Sequence, residues 1–141
     1  MTRLRVAGCM LGLLGVLLAG CAASGAPGTT LTGYAWKWTG STTTSPASQS
    51  VVPDPQNYTI TFNTNQSFSG KADCNQIAGT WTSTEGNGIT ITVGPSTMAA
   101  CGPDSLGDEF IAGLSKASAY VLSQDKTLTL TLSQEGTMGF N

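Results

Sequence analysis

The chain has 141 residues, of which 10% are charged and 40% hydrophobic, with 18 glycines, no histidine and a formal net charge of −2. That length suits one domain, and a pI of about 4.7 with few cations excludes a nucleic-acid-binding surface. The missing histidine removes the commonest general base and the commonest transition-metal ligand together.

The first segment is a sorting signal. Arg3 and Arg5 form a short positive region, and Val6 to Leu18 is apolar apart from small residues. A membrane-spanning helix needs about 20 apolar residues, so this shorter run reads as an export signal. It ends in Leu18-Ala19-Gly20-Cys21, which resembles the bacterial lipoprotein lipobox. The resemblance implies a signal peptide over residues 1–20, cleavage before Cys21, and a diacylglycerol on Cys21. The alternative is a plain secretory signal cleaved near Ala23. Val6-Ala7-Gly8-Cys9 has no apolar run before it, so Cys9 is expected to leave with the signal. Two or three acyl chains give stable anchoring where one does not. The expected address is therefore the extracytoplasmic face of the cell envelope, on the plasma or outer membrane. The mature part holds four lysines against eight acidic residues, a net of −4. Acyl chains, not charge, must hold such a body on anionic lipid.

Residues 21–30 are small, polar and Gly/Pro-containing, and read as a flexible tether. Residues 31–141 form the expected domain. Tyr34-Ala35-Trp36-Lys37-Trp38 alternates as a first strand with one buried face. Thr39 to Asn57 is rich in Ser, Thr and Pro and reads as a long exposed loop. Tyr58-Thr59-Ile60-Thr61-Phe62 alternates cleanly, and after a turn at Asn63–Gln66 the chain returns over Ser67–Lys71. Ile77–Ser83 carries Trp81 on another strand. Glu85-Gly86-Asn87-Gly88 holds Asn-Gly, a strong hairpin signal, before Ile89–Val93.

Asp104 to Ala117 changes period. Leu106, Phe110, Leu114 and Ala117 recur at helical spacing, with Asp104 or Ser105 as the expected cap. Strand periodicity then resumes over Ala119–Ser123, Thr127–Leu132 and Thr137–Phe140. Leu128, Leu130 and Leu132 should share a wall with Met138 and Phe140. The count is about eight strands in hairpin connections and one α-helix, a mainly β domain.

Phe62, Phe68-Ser69-Gly70, Cys74-Asn75, Gly79 with Trp81, and Ser96-Thr97-Met98-Ala99-Ala100-Cys101 form a pattern. That pattern resembles the META domain, also called the HslJ-like domain. Phe110, Leu114 and the Leu128–Leu132 strand follow in order. The match covers roughly Leu31 to Asn141. Two departures are a long Thr39–Asn57 segment and an extra Ala100. The resemblance implies a small antiparallel sheet of barrel-like curvature with one helix. It also implies a bacterial envelope protein whose relatives are associated with stress or heat response, motility or virulence, and it supplies no catalytic residue.

Four cysteines are present, and processing would remove Cys9 and lipidate Cys21. Cys74 and Cys101 then remain in an oxidising compartment, where a structural disulfide is the preferred reading. A redox or metal pair is the alternative, but there is no Cys-x-x-Cys and no histidine to complete a site. Asn75 either donates to a ligand or satisfies a backbone group in the bend. Trp36, Trp38 and Trp81, with Tyr34 and Tyr120, either line a cavity or partner surface or fill the core. Lys71 and Asp73 would pair across the bend. Asp104, Asp108 and Glu109 read as a helix-start charge cluster rather than a cation site.

No Gly-x-Ser-x-Gly or buried carboxylate pair is visible, and nothing supplies a base, so no catalytic residue, metal or cofactor is expected. The expectation is a non-enzymatic, monomeric, lipid-anchored envelope protein that binds an envelope protein or small ligand and no nucleic acid. The alternative is a barrel that binds a small ligand or inhibits a hydrolase.

Overall fold

The computed structural model describes residues 30–134 and 136–141. Cys9, the expected lipidation site Cys21, the signal and nearly all of the tether lie outside the described residues. The strands are β1 (Ala35–Thr44), β2 (Ala47–Val51), β3 (Tyr58–Phe62), β4 (Ser67–Ala72) and β5 (Asn75–Thr84), followed by β6 (Gly88–Ser96). Helix α1 (Gly107–Ser115) comes next, then β7 (Ala117–Leu122), β8 (Leu128–Leu132) and β9 (Gly136–Phe140).

All the strands pair antiparallel in one sheet, ordered β2-β1-β3-β4-β5-β6-β7-β8-β9. β9 also pairs with β1, from Trp38↔Phe140 to Thr43↔Gly136, and this closes a ring of eight strands. Closure gives each ring strand a partner on both sides and removes edges that would otherwise invite pairing with other chains, leaving β2, paired with β1 alone, as an edge strand outside the ring. The joint between β6 and β7 is thin: one register pair, Gly88↔Ala119, with Tyr120 N–H donating to Asn87 O at 2.9 Å.

Two sequence expectations need correction. The segment read as a loop over Thr39–Asn57 holds the rest of β1 and all of β2, paired from Gly40↔Val51 to Thr44↔Ala47. The hairpin is hard to see because every residue of β2 is exposed, so no alternation of polarity marks it. Its β-branched threonines suit extended backbone all the same. Helix α1 starts at Gly107, not at Asp104 or Ser105, and its cap position is Leu106. Tyr58 Oη accepts the Leu106 N–H at 2.9 Å, fixing that residue to β3. The Ser105 hydroxyl accepts the Gly107 N–H at 3.2 Å.

Alternation places the core. Tyr58, Ile60 and Phe62 point inward from β3, while Thr59 and Thr61 stay half-buried. Leu128, Leu130, Met138 and Phe140 form the expected shared wall, with Leu132 half-buried beside them. The helix contributes Phe110 and Leu114, both fully buried. Phe110 stacks on Trp38 with ring centroids 5.4 Å apart, and Tyr58 meets both rings edge-on. Burying each large apolar side chain contributes about 1.5–3 kcal/mol. Gly70 has a steric role, because a Cβ there would collide with the Thr59 carbonyl across the β3–β4 ladder.

Phe110→Ala should lower unfolding free energy by about 3–5 kcal/mol, the usual cost of emptying an aromatic core site. Val121→Ala, at an exposed position on β7, should change it by less than about 0.5 kcal/mol. Urea unfolding followed by tryptophan fluorescence measures both.

Candidate functional site

β4 ends at the buried Ala72, and β5 begins at Asn75, its register partner. Only Asp73 and Cys74 lie between them. Asp73 takes φ +59, a left-handed conformation that Asp tolerates better than most residues, and its N–H donates to Asn57 O at 2.7 Å. The tight turn leaves Cys74 exposed and directed at the connection after β6. There it forms a disulfide with Cys101, Cα to Cα 5.7 Å, across a sequence separation of 27. That spacing is typical of disulfides, and the extra Ala100 is accommodated without loss of the bridge.

Asn75 makes the second clasp. Its Oδ1 accepts from Ala99 N–H at 2.8 Å and from Thr97 Oγ1 at 3.0 Å. Its Nδ2 donates to Ala99 O at 3.1 Å and lies 3.4 Å from Cys101 Sγ. The carboxamide thus meets Ala99 as a neighbouring strand's peptide would, one bond in each direction. Thr97 adds to this, its Oγ1 accepting from Gln76 N–H at 2.9 Å and its N–H donating to Gln76 O at 3.1 Å. Of the two sequence readings of Asn75, satisfaction of backbone groups is the one seen.

The clasped stretch is pinned without being buried. Thr97 through Ala100 are exposed, and Met98 is 93% exposed. A cleft of about 230 Å³ lies directly against Ser96–Ala100, and two larger ones border the connection further along. One, of about 340 Å³, lies between Asn75, Ala99–Pro103 and the first turn of α1 at Gly107, Asp108 and Ile111. The other, of about 580 Å³, runs from Pro103 and Asp104 to Asp54, Asn57, Tyr58 and Asp73. Three carboxylates line it. Among the described residues, no group of three or more His, Cys, Asp or Glu side chains is placed to hold a metal ion.

The other expected site residues lie elsewhere. Trp36 and Trp38 are core, not surface: they are 2% and 0% exposed, and their indole N–H groups donate to Leu31 O at 2.8 Å and Gly40 O at 2.9 Å. Trp81 is half-buried, donates to Asn63 O at 3.1 Å and sits edge-on to Phe62 at 5.3 Å. Lys71 Nζ donates to Asn57 Oδ1 at 2.8 Å rather than pairing with Asp73. Sequence reasoning missed Thr97 as Asn75's partner and Met98 as the exposed apolar group. The signal was present, since Cys74-Asn75 and Thr97-Met98 belong to the two halves of one quoted pattern.

A scan against protein families matches the META domain over residues 29–141. Among solved structures, one similar to this chain is the crystal structure of a DUF4847 family protein from Bacteroides vulgatus. It is 18% identical, with a TM-score of 0.57, covering 75% of this chain and 89% of that one. Another is the NMR structure of a protein from Burkholderia xenovorans, 20% identical, with a TM-score of 0.60, covering 79% and 82% respectively. At these identities the likeness shows the fold. No curated protein matches the chain.

Replacing Cys74 and Cys101 together by Ser should lower stability by about 3–4 kcal/mol on a chain-entropy estimate for this loop length. Asn75→Ala, with the disulfide intact, should cost about 1–2 kcal/mol and speed proteolytic cleavage between Thr97 and Cys101. Denaturant melts and limited proteolysis of the purified variants read both effects.

Proposed function

This chain belongs to the META domain family, and on that premise we propose that it is a non-enzymatic, lipid-anchored envelope protein with a stress-associated or envelope-stabilising role. It acts by presenting the clasped 97–101 loop to a protein partner. The observation that carries this reading is the loop itself. One disulfide and the Asn75 carboxamide hold it in a single shape while Met98 stays in water. Holding a loop in its binding shape lowers the ordering cost of association. Methionine is also enriched at protein interfaces.

The interior supports a surface role over an enclosed ligand. Trp36, Trp38, Phe62, Phe68, Phe110 and Phe140 fill the space that a small-ligand barrel would leave open. A second reading, hydrolase inhibition, draws on the same rigidity. A fixed, exposed loop would then enter the enzyme's cleft with Met98 as its apolar anchor. The lipobox-like Leu18-Ala19-Gly20-Cys21 supports the address, and the absence of histidine from the chain weighs against acid–base chemistry.

In cells expressing the full-length protein, labelled palmitate should enter the wild type and not Cys21→Ser, and the variant should leave the membrane pellet. Equal labelling, or equal partition, would refute the anchor. A photo-crosslinking residue at position 98 should give one discrete adduct in intact cells. Met98→Asp should weaken the identified complex by about ten-fold or more, as loss of a central apolar anchor does. Crosslinks no more discrete than those from position 121 would refute the loop as the binding surface.

A further inference from the structure

We propose that the outer face of β8, β9, β1 and β2 carries a binding site for an uncharged saccharide, seated in the cleft floored by Gly40 and Gly139. This goes beyond the loop-mediated role above and uses different residues.

The sequence of that face is unusual first in what it lacks. β2, β7, β8 and β9 contain no charged residue, and β1 contains only Lys37, which stands opposite Thr59 on the β3 side. Threonines occupy the outward positions instead. Thr131 pairs with Thr137, and Thr137 pairs with Thr42, which stands opposite Gln49. In the next row, Thr129, Gly139, Gly40 and Val51 follow one another across the same four strands. The two adjacent glycines leave a gap in that row. The result is a cleft of about 210 Å³, bordered by Thr42, Gln49, Val51, Thr129 and Thr137.

The border groups converge on the cleft, and two of them are uncommitted. Among the described residues nothing hydrogen-bonds the Gln49 carboxamide or the Thr129 hydroxyl. Thr42 and Thr137 share one hydrogen bond at 2.6 Å, so whichever donates, the other hydroxyl keeps a proton to give. Val51, 75% exposed, supplies an apolar patch at the rim. Specific sites typically pair a concave shape with a few convergent polar groups. Here the groups are neutral donors and acceptors beside one aliphatic side chain. A pyranose offers the complement: hydroxyls around its edge and C–H bonds on its faces. A charged ligand would lose hydration with no counter-charge to meet it.

Gly139 makes the test clean. Gly139 lines the cleft, and a Cβ there would meet the Thr39 hydroxyl at 3.4 Å and the Gly40 carbonyl oxygen at 3.9 Å, both ordinary contacts, so it is accommodated without breaking the ladder. Gly40 is unsuitable, because its Cβ would strike the Ser50 carbonyl. Full-length protein in detergent is titrated calorimetrically with chitotetraose and maltotetraose as uncharged probes, and with a heparin tetrasaccharide as the acidic one. The expected result is binding of an uncharged probe with affinity changed less than about two-fold between low and high salt, since no ion pair is there to be screened. Gly139→Val and Gln49→Ala should each weaken it by about ten-fold, with melting temperature unchanged. Met98→Asp should leave it intact, which separates this site from the loop. Binding of neither uncharged probe, equal binding by wild type and Gly139→Val, or a preference for the acidic probe that fades with salt would each overturn the proposal.

Discussion

The aromatic cluster of Trp38, Tyr58, Phe110 and Phe140 ties the molecule together. Trp38 belongs to β1, Tyr58 to β3 and Phe140 to β9, and Phe110 brings the helix to all three. β1 is the strand that closes the ring, so the helix docks where closure is made. Edge-on and stacked rings at these separations add about 0.5–1.5 kcal/mol per pair beyond burial. The cluster also reaches outward. Tyr58 has its ring in the core and its hydroxyl on the Leu106 N–H, so one side chain sets both the packing and the residue at which α1 begins. The 97–106 connection is therefore held from both ends, by β5 at Asn75 and by β3 at Tyr58.

The clasp at Asn75 shows why residue type matters there. A carboxamide offers a donor and an acceptor in the same plane as a peptide does, and Ala99 uses both. An aspartate would accept from Ala99 N–H but would set a negative oxygen against Ala99 O. Cys74 and Asn75 are adjacent, yet they act on different parts of the connection. The sulfur fixes where Cys101 lies, and the amide fixes how Thr97–Ala99 runs. Two independent restraints on so short a stretch leave it little freedom, although it buries almost nothing.

Much of the fold could be read from polarity alone. Tyr58–Phe62 and Leu128–Leu132 alternate because one face meets the core and the other meets water, and the structure bears this out. The β1–β2 hairpin escaped because both of its faces are wet, so periodicity carries no information there. The start of α1 was misplaced because a tertiary contact, Tyr58 Oη to Leu106 N–H, decided a boundary that capping propensity would have set at Asp104 or Ser105. At the site, the Cys74–Cys101 partnership was legible by elimination among four cysteines. For Trp36 and Trp38 the packed core is the preferred reading, because side chains usually fill so small a barrel, and their burial agrees with it. Alternation outlined the strands, whereas their barrel-like closure is implied by the resemblance to the META domain, with which the family match and the likeness to two solved structures agree.

The joint between β6 and β7 gives the ring a direction of give. Every other neighbouring pair in the ring shares at least three register partners, whereas this joint shares one. Local opening follows the least-bonded boundary first. The barrel behaves in this respect like a bracelet with a hook, its two arms remaining fastened through β1 while they part at Gly88. Amide protons near Gly88 and Ala119 would then trade with solvent well ahead of those in the β8–β9 ladder, so breathing is confined to the side away from the strand that closes the ring.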